Sequence, residues 1–94
     1  MWNTEKHNFG DVIAGSEVSF LFQYSGDKII KEAIPSCGCS SIELRGQGIR
    51  LTYTAPHLPP GVNELNFEKY LTIKYTDDTQ QVLTIHGVVK PNMN

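Results

Sequence analysis

The sequence predicts an all-β domain, folded as an antiparallel sandwich. Apolar and polar residues alternate with a period of two along several segments, as in strands that bury one face. Short runs of Gly, Asp, Ser and Thr separate these segments, and no segment has a helical apolar stripe. About seven short strands within 94 residues are typical of two packed antiparallel sheets.

Five segments carry the alternation clearly and are predicted strands: residues 18–24, 29–35, 49–54, 70–75 and 83–89. Weaker patterns predict strands at residues 7–12 and 40–44. Taking the apolar positions of each strand as its inner face predicts the core, which consists of Phe9, Val18, Phe20, Phe22, Ile34, Leu51, Tyr53, Leu71, Ile73, Leu83 and Ile85.

Two glycines suggest local irregularities in these strands. Gly10 follows Phe9 and would let the first strand bend after burying one aromatic ring. Gly87 interrupts the last strand, which predicts a bulge or a close approach beneath an aromatic ring such as Trp2 or Tyr53.

Composition and length favour one globular domain over residues 1–94, with 39% hydrophobic and 19% charged residues. The net charge is -2 and the basic residues are scattered, so we expect no nucleic-acid partner. No apolar run approaches the ~20 residues of a membrane span, and Met1 is not followed by a signal-peptide pattern. We therefore expect no membrane association and a location in the cytoplasm or in a particle assembled there, such as a virion.

A long segment without alternation, residues 55–68, is predicted to be an irregular loop. It contains three of the five prolines, which restrict the backbone, together with several apolar residues. In a purely structural interpretation, the segment is a crossover between the sheets, anchored by Leu65 and Phe67. The functional interpretation is a protein-binding tip formed by Leu58, Pro59, Pro60 and Val62.

The two cysteines, Cys37 and Cys39, are separated by one glycine. They are too close in sequence to staple distant strands, which leaves three interpretations. They could bind a metal, Cu(I) more easily than Zn²⁺, with a histidine from His7, His57 or His86. They could form a reversible disulfide in a small, easily reduced ring. The simplest interpretation, and our expectation, is two reduced cysteines acting as small buried hydrophobes, with no metal and no other cofactor.

No motif for catalysis is apparent in the sequence. It contains no nucleophile elbow, no metal-binding box and no phosphate-cradling loop. We therefore expect no catalytic residues and no enzymatic activity.

Several segments resemble one family in their order and spacing: residues 7–12, containing Phe9-Gly10; residues 15–27; the turn at residues 36–40, containing Cys37-Gly38-Cys39; and residues 83–89. Together they resemble the DUF1573 family, which is similar to the ASH, major sperm protein and PapD-like domains. The chain departs from the family at Gly46-Gln47-Gly48, where a Pro-Gly turn is usual. The resemblance implies a seven-stranded immunoglobulin-like sandwich and transfers no activity.

These observations favour a non-enzymatic interaction or assembly module whose partner is another protein. That partner would be a second copy or a capsid, tail or scaffold protein, and similarity to small phage-encoded domains suggests a multimeric virion. The alternative is a thiol-dependent metal-binding or redox protein centred on Cys37 and Cys39.

Overall fold

The computed structural model describes residues 1–92; the last two residues of the predicted domain, Met93 and Asn94, lie outside the described residues. This part of the chain is all-β and contains no helix. The strands are β1 (Lys6–Ile13), β2 (Glu17–Gln23), β3 (Ile30–Pro35), β4 (Ser40–Arg45), β5 (Gly48–Thr54), β6 (Leu65–Tyr75) and β7 (Gln80–Lys90).

The strands form two sheets that share one core. One sheet has the order β1-β7-β6-β3 and the other has the order β2-β5-β4. The buried cluster draws side chains from both sheets, and the rings of Tyr53 and Phe67 stack across them with centroids 4.4 Å apart. The two sheets therefore pack face to face, as the sandwich prediction requires.

The pairing of β1 corrects the prediction of a purely antiparallel fold. β1 lies parallel to β7, with His7 opposite Ile85 and Val12 opposite Val89, while the other pairings within the two sheets are antiparallel. A register shift between Asn8 and Asp11 interrupts β1, and Gly10 there has φ of 69°. A left-handed backbone of this kind suits glycine, so the predicted bend after Phe9 is confirmed.

Most of the predicted core is buried. Seven of the eleven residues are among the most buried of the chain, and Phe9, Val18 and Phe20 pack against them while partly exposed. Ile34 is the exception, because its side chain is 43% exposed. A register shift between Ile30 and Glu32 moves the inner face of β3 onto Ala33 and turns Ile34 outward, so the prediction for Ile34 was wrong.

The N-terminal segment supplies a core residue that lies outside the strands. Trp2 is 7% exposed, and its indole Nε1–H donates a 2.9 Å hydrogen bond to the hydroxyl of Tyr75. Its ring also lies against Tyr24, with centroids 5.1 Å apart. Because its one polar atom has a partner, this large ring closes the end of the core without leaving a buried donor unpaired.

Candidate functional site

The sequence-predicted sites meet at one end of the sandwich. The amide of Thr54 donates to the carbonyl of Cys39 (2.9 Å), and the next amide, of Ala55, donates to the carbonyl of Ser16 (2.8 Å). The end of β5 therefore holds together the β1–β2 turn, the cysteine turn and the start of the long loop.

The long loop is shorter than predicted, because β6 begins at Leu65. Residues 65–68 pair with β7 in continuous register, Leu65 opposite Val89 and Phe67 opposite Gly87. The irregular segment is thus residues 55–64. Of its two expected anchors, Phe67 is buried and Leu65 is 43% exposed, so Phe67 alone matches the expectation.

The loop is fixed at its base by side chains other than those expected. Leu58 packs partly buried against the core, and His57 lies over Gly15, where a Cβ atom would come within 2.7 Å of its ring. At the far end of the loop Lys90 Nζ lies 3.0 Å from Glu64, which raises the pKa of Lys90 through a hydrogen bond and charge attraction. Leu58 therefore belongs to the base of the loop rather than to its tip.

The tip is a tight turn with exposed apolar residues. The amide of Val62 donates to the carbonyl of Pro59 (3.1 Å), and Gly61 between them has φ of 84°. Pro59, Pro60 and Val62 are exposed. Two prolines and a hydrogen-bonded turn restrict the backbone, so the tip would lose little conformational entropy on docking.

The cysteine turn differs from our expectation of two reduced cysteines. Cys37 and Cys39 form a disulfide with their Cα atoms 5.3 Å apart. Both are partly buried, and Cys39 packs against the core. The turn carries the chain from β3 in one sheet to β4 in the other. At its start it is still bonded to β6, since the amide of Ser36 donates to the carbonyl of Tyr70 (2.8 Å).

The three histidines that could have completed a metal site make other contacts. His7 stacks on Phe20 with ring centroids 3.8 Å apart, and His57 covers Gly15. His86 lies in β7, opposite Asn8. Within residues 1–92, no group of three potential ligands from His, Cys, Asp and Glu comes together.

Burial lowers the pKa of His7, and the nearby His86 lowers it further by charge repulsion. His7 sits on the core side of the sheet, against Phe20 and at the edge of Phe9. Sequence reasoning missed this packing role, although the period of two in a strand places His7 on the same face as Phe9, which was predicted in the core.

Comparisons with known proteins return no match for the chain, whether against protein families, curated proteins or solved structures. No helix in the described residues is long and apolar enough to cross a membrane.

Proposed function

We propose that the protein is a non-enzymatic interaction module that binds another protein through the tip of its long loop, Pro59 to Val62. The observation that carries the proposal is the contrast between the base and the tip of this loop. Leu58 is packed against the core, whereas Pro59, Pro60 and Val62 expose apolar surface on a restrained turn.

A contact of this size would be weak on its own. Few side chains contribute to the tip, and association has to offset the lost freedom of both partners. Many copies on one lattice would compensate for weak single contacts. We therefore propose a small structural or decoration protein of a larger assembly, such as a phage virion, with an immunoglobulin-like sandwich of the DUF1573 kind as its scaffold. The motif resemblance and the two face-to-face sheets support the scaffold assignment.

The test follows the full chain in the cells or particles that produce it. In a density gradient the wild type should sediment with a large assembly. The triple variant P59S/P60S/V62S should remain folded and stay at the top of the gradient, because its tip has lost apolar surface and backbone restraint. Leu58 is left intact, since its loss would disturb the core.

Ile29→Ser provides the matched control. Ile29 is an exposed apolar residue (68%) in the segment between β2 and β3. This segment lies at the opposite end of the sandwich from the long loop. This variant should sediment with the assembly as the wild type does. A triple variant that still sediments with the assembly would refute the role of the tip, and a wild type that always sediments as a small protein would refute the assembly function.

The disulfide favours a second candidate function, a thiol-dependent redox protein. Cys37 and Cys39 close a ring around a single residue, and neither is fully buried, so a small thiol has access to the bond. Redox function would require that reduction change binding or activity while the fold persists.

The double variant C37S/C39S separates the two candidates. We expect it to stay folded with a loss of about 1–3 kcal/mol, since a very short loop removes little denatured-state entropy. If the variant still sediments with the assembly, the interaction function stands without the thiols. Loss of the assembly, matched by reduction of the wild type, would favour the redox function; metal bound stoichiometrically by the reduced wild type would favour a metal site.

A further inference from the structure

The four edge strands of the sandwich differ in how well their free backbone groups are protected. An edge strand presents unpaired N–H and C=O groups that can template another strand, and proteins block such edges with bulges, prolines or covering segments. The edges here are β1 and β3 in one sheet and β2 and β4 in the other.

Three of these edges are obstructed. Register shifts interrupt β1 between Asn8 and Asp11 and β3 between Ile30 and Glu32, and β3 also ends in Pro35. The end of β2 is covered by Asn3. The amide of Asn3 donates to the carbonyl of Gln23 (2.9 Å), and its side-chain oxygen accepts from the amide of Gln23 (3.0 Å).

β4 has none of these obstructions within residues 1–92. Its six residues pair with β5 without a register shift, and none of them is proline. The carbonyl of Cys39 points toward β5, where it accepts from the amide of Thr54. Along a strand the N–H and C=O groups of successive residues point alternately toward one neighbouring strand and toward the other side. The N–H and C=O groups of Ile42 and Leu44 therefore point away from β5, toward the open edge.

The side chains of β4 also leave apolar surface at this edge. Ile42 lies on the core face and is partly buried. Leu44 lies on the same face, opposite Ile49, yet its side chain is 51% exposed. An added strand would cover Leu44 and pair the free peptide groups in one step.

We propose that a second copy of this chain adds to β4, its own β4 antiparallel to the first, with Ile42 on the two-fold axis. In this register Ile42 faces its copy, and Ser40 of each chain faces Leu44 of the other. The N–H and C=O of Ile42, the N–H of Leu44 and the C=O of Ser40 are then paired, while the amide of Ser40 keeps its bond to the carbonyl of Cys37 (3.5 Å). The contact joins two three-stranded sheets into one continuous sheet and is isologous, so it closes as a dimer.

The outer face of β4 fits this register better than the register with Glu43 on the axis. With Ile42 on the axis, Ser41 of each copy lies opposite Glu43 of the other, and a hydroxyl can donate to a carboxylate. Moving the axis by one residue places the two copies of Glu43 directly opposite each other, and like charges there are destabilising. Arg45, which lies 2.8 Å from Glu43 in its own chain, lowers the charge that each carboxylate presents.

The experiment measures dimerisation of two variants that keep the same fold. Ser41 is exposed, so Ser41→Lys and Ser41→Glu should both fold. Lysine would lie opposite Glu43 of the other copy and tighten the dimer, whereas glutamate would repel it and weaken the dimer. Symmetry doubles each effect, so the two dissociation constants should differ by roughly tenfold to a hundredfold in sedimentation velocity at micromolar to millimolar protein.

Ser19 supplies the matched control. It lies in the same cross-strand row as Ser41, on the opposite edge of the same sheet, because both pair with Thr52. Ser19→Lys and Ser19→Glu change the net charge equally and should not separate the dissociation constants in the same way. The amides of Ile42 and Leu44 should also exchange more slowly with solvent as the protein concentration rises.

Each outcome decides the proposal. A wild type that remains monomeric over the whole range refutes it, and so does a dimer whose affinity responds equally to the Ser19 and Ser41 pairs. A split confined to Ser41 supports it. The proposed dimer contact lies on β4 and does not involve the loop tip, so P59S/P60S/V62S should dimerise normally.

Discussion

Gly87 offers a sharp test of how closely the neighbouring strands β1 and β6 pack against β7. A Cβ atom at this position would lie 2.8 Å from the carbonyl oxygen of Gly10 and 2.9 Å from the ring of Phe67. The ring of Phe67 is stacked on Tyr53, and the carbonyl belongs to the bulge of β1. The sequence indicated a close approach at Gly87; its neighbour is Phe67 rather than Trp2 or Tyr53.

Gly87→Ala should therefore destabilise the fold. Overpacking of this kind costs about 1–3 kcal/mol, and the entropy gained by replacing glycine offsets only about 0.4–1 kcal/mol of it. For a domain of this size a net loss of about 1–2 kcal/mol lowers Tm by roughly 4–16 °C. Thermal and urea unfolding followed by circular dichroism would measure both quantities.

Two further variants make this test specific. Gly38 has nothing within 4 Å of its Cβ position and no positive φ, so Gly38→Ala should change stability by less than about 1 kcal/mol. Phe67→Leu removes the ring that the new methyl group would meet, so the loss from Gly87→Ala should shrink by at least about 0.5 kcal/mol in that background. A Gly87→Ala variant as stable as the wild type would refute the close packing of Gly87 against Gly10 and Phe67 on the two neighbouring strands of its sheet.

Two more predictions concern the core. Phe22 is fully buried, so Phe22→Ala should lower the free energy of unfolding by about 3–5 kcal/mol, and a loss below about 1 kcal/mol would contradict its central position. The pKa of His7 is lowered from 6.5 by burial and by His86, so the unfolded chain binds the proton of this histidine more tightly than the folded chain does. Stability should therefore fall as the pH drops below 6.5 toward the folded-state pKa. His7→Phe, which keeps a stacked ring, should reduce this pH dependence in urea titrations.

The alternation in the sequence was enough to locate the strands, because a buried face leaves a period of two wherever pairing is regular. It failed where pairing is irregular. The shift in β3 reversed the face of Ile34, and the extension of β6 to Leu65 carries no alternation, since Asn66 and Leu65 are both exposed. Backbone pairing with β7, which the local sequence does not record, fixes those residues.

The candidate site was predictable only in part. Prolines and isolated apolar residues were enough to identify the loop, but nothing local distinguished the anchored Leu58 from the exposed Val62. The parallel pairing of β1 and the burial of Trp2 depend on partners more than seventy residues away in the chain, Ile85 and Tyr75. Only tertiary packing determines such contacts.

The pairing of β1 with β7 also constrains how the protein can fold during synthesis. The first strand made has to wait for the last, since its only partner in the sheet is β7. Contacts between chain ends are slow to form, and an incomplete sheet exposes its edges meanwhile. On the ribosome, β2, β4 and β5 can pair early, whereas the four-stranded sheet cannot be completed until Lys90 has emerged. A truncation within β7 should therefore yield an aggregation-prone chain rather than a smaller stable domain.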